Sequence, residues 1–150
     1  MKLRALLDSN VVIAALVEKH EHHALSFGVL QDSDPGVLAV AAHSYAEAYG
    51  ILTRKSDHAN FGFTAPEAWA ALERVRTVTS LVGLTADQTL DAVRDFARSG
   101  GVGARLYDKL IGEAALIHAI PAIVTWNSRH MRGLFPGLRV VTPAEVAAFR

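Results

Sequence analysis

The feature that most constrains the fold of this chain is the alternation of short apolar runs with helical patterns along its length. Short apolar runs bounded by polar or turn residues are typical of strands buried in a parallel sheet. Such alternating β and α segments favour a parallel sheet with right-handed crossovers. The runs that predict strands cover residues 3–7, 37–42, 78–84, 122–126 and 138–141. The sequence therefore predicts an α/β fold with a central parallel sheet of about five strands.

Capping signals indicate where the intervening helices begin. Thr64, Thr85 and Thr142 are each followed three residues later by Glu or Gln, which is the pattern of a capping box. Ser9 and Asn10 precede an apolar helical stretch, and we expect them to cap it. The chain thus carries its own signals for several of the helices that an α/β fold requires.

The composition restricts the class of protein. A chain of 150 residues predicts one domain spanning residues 1–150. With 51% hydrophobic and 20% charged residues, it belongs to the globular rather than the disordered class. The absence of cysteine excludes disulfides and thiolate zinc sites. Fifteen basic and 15 acidic residues cancel, so no broad basic field indicates nucleic-acid binding.

We expect no targeting signal in this chain. Asp8 lies too early for the apolar core of a secretory leader, and no apolar stretch approaches the length needed to cross a bilayer. We therefore expect a cytoplasmic protein with no membrane partner.

Polar side chains follow three of the predicted strands. Asp8 follows the first strand, Glu47 comes after the second, and Asn127 follows the strand predicted at 122–126. Asp108 lies in a helical stretch. Sites in open parallel sheets are built at the carboxyl ends of the strands. Several carboxylates gathered there without a counter-charge imply a hard divalent cation, Mg²⁺ or Mn²⁺.

Three of these residues also have local explanations. Asp8 suits a helix N-cap. Glu47 could close a capping box with Ser44, three residues before it. Asn127 could satisfy backbone groups in a turn. Caps placed for local reasons have no cause to converge, however, so the joint pattern favours a site.

Asp108 is harder to explain locally. The residues that share its helical face are apolar or small: Ile111, Gly112 and Ala115. A carboxylate turned towards such a face needs a partner or a cation. Arg105 and Lys109 could provide that partner as a salt bridge, so a structural role stays open.

Four blocks of the chain, at residues 6–13, 43–49, 103–111 and 124–131, carry a resemblance to a known family in that family's order. They resemble the PIN domains, and within that group the VapC toxins of bacterial and archaeal toxin–antitoxin pairs. Residues 141–145 match the family's usual ending. The resemblance implies a PIN-like three-layer α/β/α sandwich around the parallel sheet.

The resemblance also implies an activity, that of a Mg²⁺- or Mn²⁺-dependent endoribonuclease. The family's first three acids fall on Asp8, Glu47 and Asp108. Its fourth acidic position falls on Asn127, an amide, which puts one metal site or water contact in doubt. Asp8 and Asp108 would be the main metal ligands, Glu47 would bind the cation or orient the attacking water, and Asn127 would hold a metal-bound water.

Further expectations concern substrate and partners. The candidate phosphate contacts are Ser9, Thr125, Arg129 and His130. The implied partners are an RNA substrate, a cognate VapB-like antitoxin and a second copy of the chain in a homodimer. The alternative hypothesis is a catalytically weak or inactive PIN-fold module that binds RNA or protein. The cluster of His20, His22 and His23 is better explained as a solvated loop than as a metal site.

Overall fold

The computed structural model describes residues 4–55 and 61–148. Five strands lie in this part of the chain: β1 (Ala5–Leu7), β2 (Leu38–Ala41), β3 (Ser80–Val82), β4 (Ala122–Val124) and β5 (Arg139–Val141). They form one sheet in the order β3-β2-β1-β4-β5, and every pairing is parallel. The predicted five-stranded parallel sheet is confirmed. The strands are shorter than the apolar runs, and position 3 of the first run lies outside the described residues.

Helices connect and cover the strands. Within the described ranges they are α1 (Ser9–Leu16), α2 (His23–Gln31), α3 (Ala42–Thr53), α4 (Ala65–Val78), α5 (Ala86–Arg98), α6 (Arg105–Ile117), α7 (Ser128–Leu134) and α8 (Pro143–Ala148). None of the helices in this part of the chain is long and apolar enough to span a membrane.

The sheet separates two hydrophobic clusters. Successive strand residues point to opposite faces, so Leu7 belongs to one cluster and Leu6 to the other. The first cluster includes side chains from α1, α2, α3, α4 and α8, among them Val12, Val29, Leu52, Leu72 and Val146. The second includes side chains of α6 and α7, among them Ile111, Ala115 and Met131. The three-layer α/β/α arrangement is therefore confirmed.

The capping boxes at Thr64 and Thr85 form with both of their hydrogen bonds, as predicted. At Thr142, the hydroxyl accepts from the Glu145 amide at 3.2 Å, and the Glu145 carboxylate accepts from the Thr142 amide at 3.3 Å. The prediction that Ser9 or Asn10 caps α1 is wrong, whereas the local explanation of Asp8 as an N-cap is confirmed. The Asp8 carboxylate accepts from the Ser9 amide, and the helix begins at Ser9.

Helix α7 has no counterpart among the predicted elements. Its signal is the four-residue spacing of Met131 and Phe135, both buried in the second cluster. The Phe135 ring lies against Gly112 of α6, where an added Cβ would be only 2.0 Å from Phe135 Cε2. Glycine at position 112 thus permits the close approach that fixes α7 against α6.

Candidate active site

The strand register brings the carboxyl ends of the neighbouring strands β1 and β4 together. Leu7 pairs with Val124, so the residues that follow them, Asp8 and Thr125, lie side by side. The Asp8 amide donates to the Val124 carbonyl at 3.0 Å, which extends the pairing beyond the strand. Asp8 is only 6% exposed. A carboxylate is therefore held almost buried at the carboxyl end of the central strand.

Hydrogen bonds fix the Asp8 carboxylate. Its Oδ2 accepts from Thr125 Oγ1 at 2.8 Å, and its Oδ1 accepts from the Ser9 amide at 2.7 Å. Thr125 is fully buried, and its oxygen also accepts from Asn10 Nδ2 at 3.1 Å and from the Asn127 amide at 2.9 Å. One donated and two accepted bonds saturate a hydroxyl. The structure therefore places Thr125, a predicted phosphate contact, behind Asp8 with its hydroxyl fully used.

The environment of Asp8 disfavours its charged form. Burial raises its pKa from 3.8 to about 6, and the charges of Asp108 and Glu47 push it in the same direction. The hydrogen bonds from Thr125 and Ser9 oppose this shift without cancelling it. A cation beside the carboxylate would relieve this penalty.

Glu47 lies in α3 and accepts a hydrogen bond from the Ser9 hydroxyl. The alternative that Glu47 closes a capping box with Ser44 is wrong, because α3 already begins at Ala42. Ser44 is buried, and its hydroxyl has no hydrogen-bond partner among the described residues. The Glu47 carboxylate thus contacts the start of α1 rather than the start of its own helix.

Asp108 lies in the first turn of α6. Burial and the charge of Glu47 raise its pKa, while His130 and Arg105 oppose the shift. The salt bridges that would give Asp108 a purely structural role are not found within residues 4–55 and 61–148. Lys109 pairs with Glu113 at 2.5 Å instead, and Arg105 turns to His130.

All four predicted catalytic residues line one cleft of about 470 Å³. Its walls include Asp8, Glu47, Asp108 and Asn127, together with Ser9 and His130. Arg129 is exposed and is not among the residues that line it. The cleft therefore joins the proposed metal ligands to two of the four predicted phosphate contacts.

The cleft also contains residues that sequence reasoning did not assign to the site. Asn10 donates to Asp8 Oδ2 at 3.4 Å, and His43 and Arg105 are further parts of the wall. His43 Nε2 is buried without a hydrogen-bond partner in the described part of the chain, and burial lowers the pKa of the ring. The available signal was helical spacing: His43 lies one turn before Glu47, and Arg105 lies three residues before Asp108.

The histidine cluster lies beside the cleft and not in it. His22 stacks on Trp126 with ring centroids 3.9 Å apart and an interplanar angle of 15°. The Trp126 amide donates to Asn10 Oδ1 at 3.1 Å, and its indole donates to Ser26 at 2.8 Å. His22 is half-buried against Trp126 and His23 is the first residue of α2, so the predicted solvated loop does not extend over these two residues.

The donor set of the cleft fits a hard cation. Three carboxylates and an amide offer oxygen ligands, and the pKa values of Asp8 and Asp108 are raised, mainly by burial and to a lesser extent by the neighbouring acids. Among residues 4–55 and 61–148, no three His, Asp or Glu side chains are arranged to hold one ion together. Mg²⁺ keeps several waters and needs only one or two carboxylates, so Asp8 and Asp108 with water would suffice.

Solved structures show the same fold. VapC20 of Mycobacterium tuberculosis, described as a toxin that cleaves the sarcin–ricin loop, aligns with a TM-score of 0.68 and 15% identity, covering 86% of this chain and 94% of that one. VapBC2 of Rickettsia felis, bound to promoter DNA, aligns with a TM-score of 0.63 and 13% identity, covering 93% of this chain and 98% of that one. VapBC-1 of nontypeable Haemophilus influenzae aligns with a TM-score of 0.63 and 15% identity, covering 95% of this chain and 99% of that one.

No curated protein matches this chain in sequence. The sequence profile of the PIN domain matches residues 5–133. This range contains strands β1 to β4 and all four predicted catalytic residues. Profile, sheet order and cleft agree, and the chain belongs to the PIN domain family.

Proposed function

We propose that this protein is a Mg²⁺- or Mn²⁺-dependent endoribonuclease that acts as the toxin of a VapBC-type toxin–antitoxin pair. The observation that carries the proposal is the convergence of Asp8, Glu47, Asp108 and Asn127 on one cleft. These residues come from four separate stretches of the chain, and local capping needs do not explain their meeting.

Asp8 and Asp108 would hold the cation, which when bound would stabilise the developing phosphoryl charge and lower the pKa of a water. Glu47 would bind the cation or orient the attacking water, and Asn127 would hold a water through its neutral oxygen. Attack by water oxygen on phosphorus breaks the bond from phosphorus to the 3′ oxygen. The products are then a 5′-phosphate and a 3′-hydroxyl.

Neighbouring side chains support this arrangement. Thr125 and the Ser9 amide fix the two oxygens of Asp8, and the Ser9 hydroxyl fixes Glu47. Such positioning matters because catalytic groups misplaced by about 1 Å can lose two orders of magnitude in rate. His130, which lines the cleft, remains a candidate for contact with RNA phosphates, whereas the Ser9 hydroxyl already donates its only proton to Glu47.

The partner we propose is a VapB-like antitoxin. Solved structures of this fold include the complexes VapBC2, VapBC-1 and FitAB, the last bound to a DNA fragment. An antitoxin segment that placed an Arg or Lys among Asp8, Glu47 and Asp108 would substitute for the cation and block the site. We also propose a homodimer, which light scattering at micromolar concentration would test; a monomer there would contradict this assembly.

The test of activity is cleavage of single-stranded RNA with and without metal. We expect cleavage with Mg²⁺ or Mn²⁺, none in EDTA, and a loss of at least about a hundredfold in rate for Asp8→Ala. Asp95→Asn is the matched control, because Asp95 is an exposed acid on α5 that pairs with Arg94. Cyclic 2′,3′-phosphate products, or cleavage that persists in EDTA, would refute the mechanism.

The second candidate is a PIN-fold binding module with little or no catalysis. The amide at position 127, in place of the family's acid, is the observation that favours it. RNA binding without cleavage under every metal condition would support this alternative over the enzyme.

A further inference from the structure

If the substrate is RNA, the three carboxylates of the cleft repel its negatively charged phosphates, so binding requires a positive charge nearby. Of the described residues that line the cleft, Arg105 is the only lysine or arginine. It is exposed, at the first position of α6. A permanent cation beside the acids is therefore available to a phosphate entering the cleft.

The guanidinium of Arg105 is held by His130 of α7. Arg105 Nη2 lies 3.3 Å from His130 Nε2. Because a guanidinium has donors and no acceptor, the bond requires His130 Nε2 to accept, which places the ring proton on Nδ1. The arginine side chain has five N–H donors, and the bond to His130 is the one side-chain hydrogen bond that Arg105 makes within the described residues. The rest of the fork is free to bind an oxyanion.

The same hydrogen bond has a second effect. Arg105 lies one helical turn before Asp108, yet no ion pair joins them in residues 4–55 and 61–148. An Arg105–Asp108 salt bridge would occupy the carboxylate that we assign to the cation. By holding the guanidinium, His130 keeps Asp108 open while leaving the positive charge at the rim of the cleft.

We propose that Arg105 binds a phosphate of the RNA substrate next to the acids, with His130 as the positioning residue that aims its guanidinium. This rests on the proposed function and names the residue that gives the cleft affinity for its substrate. Arg129, the arginine favoured by sequence, does not line the cleft.

RNA binding in EDTA tests the contact without cleavage. We measure the anisotropy of a fluorescent single-stranded RNA across a salt series for Arg105→Met and for Arg98→Met, an exposed arginine on α5 outside the cleft. Arg105→Met should weaken binding by roughly tenfold. It should also lower the slope of log Kd against log salt by about 0.7, the value of one phosphate contact on a single strand. Equal, small losses in both variants would overturn the proposal.

Substitutions at position 130 test positioning. His130→Leu removes the acceptor and should raise KM for RNA more than it lowers kcat, whereas His130→Gln keeps an acceptor oxygen and should restore KM towards the wild-type value. A merely structural role would lower the melting temperature in both variants and would not produce this split. Equal KM values for the Leu and Gln variants would overturn the role of His130.

A titration with inorganic phosphate separates this inference from the nuclease proposal. NMR signals of the His130 ring, assigned by comparison with His130→Gln, should shift with phosphate in the wild type and not in Arg105→Met. A saturable shift without any RNA cleavage would retain the anion site and reject the nuclease. An absent wild-type shift, or the same shift in Arg105→Met, would reject the anion site even in an active enzyme.

Discussion

The hydroxyl of Ser9 donates a hydrogen bond to the carboxylate of Glu47, 38 residues further along the chain. Ser9 is the first residue of α1, and its amide already donates to Asp8. One serine therefore holds two acids of the cleft, one through its backbone and one through its side chain. The relative position of the first and second acids is set at the start of a helix and not by the sheet alone.

The first prediction concerns Ser9→Ala. This change removes a hydrogen bond to a charged group and leaves Glu47 without a fixed position, so we expect kcat for RNA cleavage to fall about tenfold. Ser44→Ala is the matched control, because Ser44 is also buried and its hydroxyl has no partner in the described part of the chain. Its loss should leave kcat unchanged and should not lower the melting temperature. A similar fall in kcat for both variants would contradict the assigned role of Ser9.

The second prediction concerns pH and uses Asp8→Asn in EDTA. The folded-state pKa of Asp8 is raised to about 6 from 3.8, so the folded protein loses stability as the pH rises from about 4 to about 6, and the penalty is complete above that range. This penalty disappears as the pH falls below the unfolded value. The introduced amide carries no charge, and asparagine still suits an N-cap, but its NH2 group replaces one of two oxygens that accept hydrogen bonds from Thr125 and Ser9. That loss is the same at every pH. Relative to the wild type, the variant should therefore gain stability as the pH rises from about 4 to neutral, by at most roughly 3 kcal/mol.

Urea denaturation across this pH range measures the difference in free energy of unfolding between the two proteins. Other groups titrate in both proteins and cancel in that difference. A difference that does not change with pH would show that Asp8 titrates normally in the fold.

The sequence could predict what local patterns determine. Apolar runs located the strands, and the rule that sites lie at strand ends brought Asp8 and Asn127 to one place. Local reasoning failed for Ser44 because the capping pattern is present but α3 begins two residues earlier, at Ala42. The box at Thr64 was predictable because all its atoms lie within one helical turn.

Contacts between distant residues were beyond such reasoning. Thr125 and Asp8 are 117 residues apart, and the bond that uses up the Thr125 hydroxyl depends on the β1–β4 register. Arg105 is within hydrogen-bond distance of His130 because α7 packs on α6. The hydrophobic pattern of α7 was too short to predict this helix from the sequence. The sequence predicted four residues that meet in one cleft, and the three-dimensional packing shows which side chains hydrogen-bond to them or to one another.

The third prediction concerns Gly112→Ala. A methyl group at this position would overlap the ring of the buried Phe135, so α7 must shift, and we expect a loss of roughly 1–3 kcal/mol in stability. Gly50→Ala in α3 is the control, since a Cβ there meets nothing within 4 Å. That change should be neutral or stabilising, because alanine favours helix. Thermal unfolding measures both, and equal stability of the two variants would show that α6 and α7 are loosely packed.

The fourth prediction concerns metal. Millimolar Mg²⁺ or Mn²⁺ should raise the melting temperature by several degrees, since a ligand that binds only the folded state stabilises it. Asp108→Asn should abolish the rise, and Asp95→Asn, which changes an exposed acid of α5, should retain it. An undiminished rise in Asp108→Asn would remove Asp108 from the set of ligands, whatever the activity of the protein.

The last prediction concerns position 127, where the amide replaces the family's acid. Asn127 lies in the wall of the cleft. Its backbone N–H donates to the Thr125 hydroxyl, so the backbone at this position is anchored by the hydrogen-bond network that holds Asp8. Asn127→Ala keeps that backbone bond and removes only the side-chain oxygen, so it should cost less in rate than the loss of about a hundredfold expected for Asp8→Ala. Asn127→Asp adds a charge to the cleft, which should tighten Mn²⁺ binding and preserve or raise the cleavage rate at saturating metal.

In EDTA the same variant should be less stable than the wild type, because a further carboxylate adds to the repulsion between acids that contributes to the raised pKa of Asp8. Cleavage rates and melting temperatures with and without Mn²⁺ separate these effects. If Asn127→Asp gained no stability from Mn²⁺ beyond that of the wild type, position 127 would lie outside the metal site.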